Sequence, residues 1–188
     1  PTCSDEESFT ITISTTPVIT TVNDSTVCDS MELQALPTVS NGGGNLGYYT
    51  ATGGAAGSGT LLNAGDYITS SQTVFVYDST NTNPGCTDEI SFAVTVNTSP
   101  VITAAGTDPT VCGGSDGTLT ISNLTATTSY DWSYDTPASA TITGTTVSDG
   151  SGDIEVSNTL PSGTYPDIFV TLNGCESTDQ VTVFINAS

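Results

Sequence analysis

The stretch "CTDEISFAVTVNTSPVIT" at residues 86–103 decides how the chain is read, because "CSDEESFTITISTTPVIT" already stands at 3–20. Residues 1–20 match 84–103 at 12 of 20 positions with no gap; Cys3 falls on Cys86, Phe9 on Phe92 and Pro17 on Pro100. A weaker copy, "NGCESTDQVTVFINAS", occupies 173–188, where Val181, Val183 and Ile185 take the places of Phe92, Val94 and Val96. A period of roughly 83–89 residues is the signature of a tandem array. Within each copy, as in "SFTITI" (8–13) and "SFAVTV" (91–96), apolar and polar side chains alternate. That is the period of a half-buried strand.

The same alternation recurs in "TVFVY" (73–77), "TLTIS" (118–122), "DIFVTL" (167–172) and "VTVFI" (181–185). Between these runs lie clusters such as "SNGGGN" (40–45), "GGAAGSG" (53–59) and "SDGSGD" (148–153), rich in residues that tolerate positive φ and so make turns. No segment has a 3.6-residue period. Short strands at close spacing predict an all-β sandwich class. We place one unit at 17–99, a second at 100–188, and take 1–16 as the last strand of a preceding unit. The junctions "TTPVIT" and "TSPVIT" have a single Pro and no Gly/Ser spacer, so successive units are expected to abut in a stiff string.

The chain of 188 residues contains 20 Asp and Glu but no Lys, Arg or His, a net charge of −20. Without cations it cannot neutralise phosphates, so nucleic acid is excluded as a partner, and attraction to anionic lipid fails for the same reason. Ser-His, Cys-His and Lys Schiff-base catalysis lack their base or amine. Paired carboxylates remain, but they stand mostly in turn-like segments and no D-T-G or D-S-G element occurs; no enzymatic activity and no cofactor are expected. Acidic groups must face water or bound cations, with Asp24 and Asp108 as candidate points for diffuse cation binding. No apolar run approaches the ~20 residues of a membrane span. Trypsin, which cuts after Lys or Arg, has no site.

Five cysteines occur without a C-x-x-C, which argues against a metal finger. Cys28 and Cys86 bracket one unit and Cys112 and Cys175 the next, so the expected disulfides are Cys28–Cys86 and Cys112–Cys175, with Cys3 bonded to a cysteine upstream. Loops this long would each contribute roughly 4 kcal/mol in the chain-entropy model and imply an oxidising, extracellular compartment. A simple seven-strand count puts the two cysteines of a unit at opposite ends, beyond the ~7 Å that a disulfide allows between Cα atoms. Either the strand count differs by one, or "PVIT" and the segment after it do not form a full first strand, or each bond joins neighbouring units. Bonds within a unit are the expectation, because each unit carries one opening and one closing cysteine.

Other residues invite chemistry. "SDGSGDIE" (148–155) sets Asp149, Ser151, Asp153 and Glu155 at alternate positions, so Asp149, Asp153 and Glu155 are candidate Ca²⁺ ligands, against the simpler reading of a Gly-rich hairpin turn. Trp132 in "SYDWSYD" and the pair Tyr48–Tyr49 could form a sugar-stacking face, or serve as core. Tyr165, at the start of a late strand, is placed to hydrogen-bond a sandwich corner.

"VCGGSDGTLTISNL", "YDWSY" and "LPSGTYPDIFVTLNGCESTDQVTVFI" together resemble the repeat of giant surface adhesins of Bacteroidota, including gliding-motility adhesins. The unit with "GYYTATGGAAGSGTLL" and "GDYITSSQTVFVY" is similar to related immunoglobulin-like repeats in the same class. The second unit departs from the pattern in lacking the "GG-x-x-P-Y" lead into its Trp strand. The resemblance implies tandem immunoglobulin-like β-sandwiches, export by the type IX system, display at the bacterial cell surface, and further copies of the repeat as partners. It also implies O-glycosylation at short Asp-Ser motifs, with Ser25, Ser30 and Ser79 as candidates. The expected role is a structural stalk segment for adhesion or gliding. Two competitors remain: a carbohydrate- or Ca²⁺-dependent binding module, and a filament subunit in which 1–16 completes a neighbour's sheet.

Overall fold

A computed structural model describes residues 3–83, 85–178 and 180–187. The chain folds as two compact units, Pro1–Val96 and Asn97–Ser188.

In the first unit, alternation builds the strands and Gly- and Asn-rich turns end them. The strands are β1 (Val18–Ile19), β2 (Ser25–Cys28), β3 (Met31–Glu32), β4 (Val39–Ser40), β5 (Gly47–Tyr49), β6 (Leu61–Leu62), β7 (Tyr67–Ile68), β8 (Gln72–Ser79) and β9 (Thr87–Asn97). One sheet has the order β2-β9-β8-β5-β6; the short pairs β1-β4 and β3-β7 lie apart from it. Val74 and Val76 of β8 and Phe92 and Val94 of β9 are fully or nearly buried against Ile19, Leu33 and Ile68, which come from or adjoin the short pairs. Two layers of sheet thus enclose one core. The period-2 pattern of "SFAVTV" decides which face of β9 is buried.

The second unit has β10 (Thr103–Thr107), β11 (Gly117–Ser122), β12 (Ser129–Asp135), β13 (Thr141–Val147), β14 (Ile154–Leu160), β15 (Gly163–Leu172), β16 (Cys175–Glu176) and β17 (Val181–Ile185). Its sheets are β10-β11-β14 and β13-β12-β15-β16, with β17 also paired to β15. Leu119, Ile121, Tyr130, Tyr165, Ile168 and Val170 lead the core between them. Pro166 and Asp167 fall where the β15–β17 register shifts, and Asp167 has φ 53°, so the proline that could not donate to a ladder sits in a bulge. The pairs β1–β4, β3–β7, β5–β6, β5–β8, β8–β9, β10–β11, β11–β14, β12–β13, β12–β15, β15–β16 and β15–β17 are antiparallel, and the topology is that of an immunoglobulin-like β-sandwich.

Candidate functional site

The cysteines occupy the ends of the units. Asp88 accepts the Ile19 N–H at 2.8 Å and Asp24 accepts the Ala93 N–H at 2.7 Å, so residues 19–24 and 88–93 run in the same direction. Continuing that register puts Cys28 beside the C-terminal end of β9, whereas Cys86 directly precedes its N-terminal end. An 11-residue strand separates them, about 36 Å at ~3.3 Å per residue. In the second unit, Cys175 pairs with Leu172 at the end of β15. Cys112 lies in the loop after β10, where Asp108 accepts the Asn186 N–H and the strand partner of Ile185 is Gly163, the first residue of β15. Those two positions are again separated by the length of a strand.

The sequence-based pairs Cys28–Cys86 and Cys112–Cys175 are accordingly not made. Cys3, Cys86 and Cys112 carry free thiols, while Cys28 and Cys175 are each disulfide-bonded. Strand length is the physical reason, since a disulfide needs Cα atoms within about 7 Å.

The candidate metal turn is built differently from the expectation. Asp149 spends its carboxylate on its own backbone: Oδ1 accepts the N–H of Ser151 at 2.8 Å and of Asp153 at 3.0 Å, which holds its pKa below the usual carboxylate range. Glu155 is exposed on β14, opposite Thr120 of β11. Among the described residues no group of three or more His, Cys, Asp or Glu side chains is placed to hold a metal ion. The 148–153 segment is a tight turn, with Gly152 at φ 84°.

The aromatic residues do not form a stacking platform. Tyr48 is 3% exposed and meets Phe92 edge-on at 6.2 Å; Tyr49 meets Tyr77 edge-on at 6.2 Å on the other side of β5. Trp132 shares the inward face of β12 with Tyr130 and Tyr134, stacks on Tyr134 at 6.0 Å and donates its indole N–H to Thr146 at 3.0 Å. A Cβ at Gly144, directly across the strand pair, would overlap the indole, so glycine is what admits the ring. Tyr165 does what its position predicted: it is 1% exposed and donates its O–H to the Pro161 carbonyl at 2.8 Å. The candidate glycosylation serines Ser25, Ser30 and Ser79 are all half-buried, and Ser79 Oγ accepts the Asn45 side-chain N–H at 3.0 Å.

Two features escaped the sequence reading. Residues 3–16 belong to no sheet and expose Phe9 by 84%, Ile11 by 72% and Ile13 by 85%, although their equivalents Phe92 and Val94 in β9 are core and Val96 packs against it. At the other extreme, Asp78 is completely buried. Its Oδ1 accepts the Asn45 N–H at 3.1 Å, while its Oδ2 has no hydrogen-bond partner. Alternation on β8 (Val74, Val76, Asp78) was the available signal, and it places this carboxylate on the core face.

No family model matches the chain, and no curated protein matches it. Among solved structures, it is similar to the N-terminal four Ig domains of Dscam1 isoform 9.44, at 11% identity and TM-score 0.38 over 92% of this chain and 46% of that one. Dscam1 isoform 4.44 gives 14% identity and TM-score 0.37 over 92% of this chain and 47% of that one. The major pilin subunit BcpA of Bacillus cereus, in its D312A form, gives 16% identity and TM-score 0.23 over 67% of this chain and 38% of that one. The chain thus spans about half the length of the Dscam1 structures or less. Similarity this low carries no weight for function; the sandwich assignment rests on strand pairing.

Proposed function

We propose that this chain is a structural repeat segment of a long extracellular protein, in which sandwiches follow one another as a stalk. The observation that carries this is the exposed segment at residues 8–13, which joins no sheet. Its sequence repeats that of β9, whose Phe92 and Val94 are 4% and 1% exposed in the core of the first unit. A strand with that apolar face belongs in a sandwich, here one preceding unit 1, in keeping with the unit limits of 1–16, 17–99 and 100–188. The carboxylates repeat as well: Asp5 and Glu6 correspond to Asp88, which binds the Ile19 N–H, and Glu89, which binds Thr52 and Gly53. The chemistry of the surface, acidic throughout and without cations, supports a role in aqueous, nucleic-acid-free surroundings.

The finer reading rests on the sequence resemblance alone: a bacterial surface adhesin of the Bacteroidota gliding type, exported by the type IX system and O-glycosylated at Ser25, Ser30 or Ser79. Disulfides would stiffen such a stalk. The filament-subunit reading draws on the same exposed segment, with a second chain as its host.

Hydrogen exchange separates these readings. We expect amides 8–13 of the isolated chain to exchange at coil rates at every protein concentration, and to become protected when residues 17–85 are fused ahead of Cys3. Protection that grows with concentration in the isolated chain would favour the filament subunit. Fast exchange in the fusion would overturn the stalk reading. Antibodies against residues 17–188 should label intact source cells, and labelling only after lysis would overturn the surface assignment.

A further inference from the structure

Asp78 and Asp88 face each other across the β8–β9 ladder, the last pair but one at that end. Residues directly opposite in an antiparallel pair send their side chains to the same face, with Cβ atoms about 4.5–5.5 Å apart, and like charges there repel. Both side chains point into the space between the layers. On one side lies β1, whose Ile19 N–H is bound by Asp88 Oδ2. On the other lies the Gly-rich loop after β4, where a Cβ on Gly42 would overlap Asp78 Oδ2.

Asp78 has no exposed surface, and its Oδ2 meets no donor. A buried carboxylate must be paired, coordinate a metal or take up a proton. Pairing with a cationic side chain is impossible, because the chain has no Lys, Arg or His. A proton on Oδ2 would become a donor in its turn, and no acceptor for it stands within hydrogen-bond reach. Asp88 cannot turn away, since both its oxygens are fixed by backbone N–H groups, of Ile19 at 2.8 Å and Glu89 at 3.0 Å.

We propose that Asp78 and Asp88 jointly bind a calcium ion between the sheets at this end of the first unit. Two carboxylates at cross-strand separation can share an ion with oxygen distances of about 2.3–2.6 Å, and solvent completes the six to eight ligands that calcium takes. Gly42 keeps the loop close enough to exclude bulk water from Asp78. A site with two carboxylates belongs to the weak class of extracellular modules, with Kd about 10⁻⁴–10⁻³ M. The proposal stands apart from the stalk reading and needs only the first unit.

The test is calorimetry of the full chain at fixed ionic strength, chelator against 10 mM CaCl₂. Trp132 is the only tryptophan, so its fluorescence locates the melting of the second unit. We expect the first-unit transition to rise by about 5–10 °C and to saturate, while the second unit barely moves. D78N and D88N should each abolish the shift, whereas D149N, with the same change in charge, should keep it. An equal, unsaturable rise of both units would show diffuse screening and overturn the site; so would a full shift in D78N or no shift in the wild type. If D78N does not fold, terbium bound to the wild-type chain supplies the second readout: saturable tyrosine-sensitised luminescence that calcium displaces supports the site, and its absence overturns it.

Discussion

Replacing Tyr165 with Phe isolates one hydrogen bond in an otherwise unchanged core. The side chain is 1% exposed, its ring meets Tyr134 at 6.0 Å, and its O–H donates to the Pro161 carbonyl at 2.8 Å. Phe keeps the ring and its contacts, so only the hydroxyl's bond is lost. Pro161 itself is exposed, and water can reach its carbonyl after the change. The expected loss is therefore near the usual net value for such a bond, about 1 kcal/mol, rather than the larger cost of stranding a buried acceptor. In a unit of this size that lowers Tm by about 4–8 °C. Urea unfolding followed by Trp132 fluorescence reads it directly, because the indole stacks on Tyr134. The denaturation midpoint should fall with the m-value unchanged. Burial, and secondarily the charge of Tyr134, hold the Tyr165 pKa above its ordinary value of 10.0. Stability from this source is complete below the unfolded-state pKa near 10 and is lost as pH rises through the higher folded-state value. Y165F should thus lose part of the alkaline sensitivity as well. A loss under about 0.3 kcal/mol, with alkaline unfolding unaltered, would refute the reasoning.

Further outcomes follow from single contacts. G144A should destabilise the second unit by about 1–3 kcal/mol, because the added Cβ overlaps the Trp132 indole and displaces it from Thr146; an unshifted fluorescence maximum would contradict this. Asp116, held by Thr110, and Asp149, held by the backbone of Asp153 and Ser151, have lowered pKa values, so NMR should show both titrating below the ordinary 3.8. Stability from these two groups is present above that value and lost as pH falls through their folded-state pKa values; ordinary titration of both would refute it. Thiol counting on the purified chain should find Cys3, Cys86 and Cys112 reactive. A non-reduced digest that yields Cys28 linked to Cys86, or Cys112 linked to Cys175, would overturn the strand-length argument.

Much of the core was legible because a strand's side-chain period is fixed at two. "TVFVY" and "SFAVTV" display the alternation that buries Val74, Val76, Phe92 and Val94, and "TLTIS" does so for Leu119 and Ile121. Tyr165 was legible for a similar reason: its place at the start of a late strand is local. Alternation says that one face is buried without saying which contacts cover it. Hence "SFTITI" at 8–13 reads as well as β9 does, yet it has no sheet to join among the described residues.

By itself, then, the sequence determined the all-β class, the repeat, the exclusion of cation-dependent chemistry and the buried positions along each strand. These are properties of composition and of local period. Only the tertiary structure decided which residues meet across strands. It separated Cys28 from Cys86 by the length of β9, turned Trp132 inward over Gly144, closed Asp149 on its own turn, and set Asp78 against Asp88 in a space without a cationic side chain. Register and strand order arise from packing between distant segments, and no local pattern encodes them.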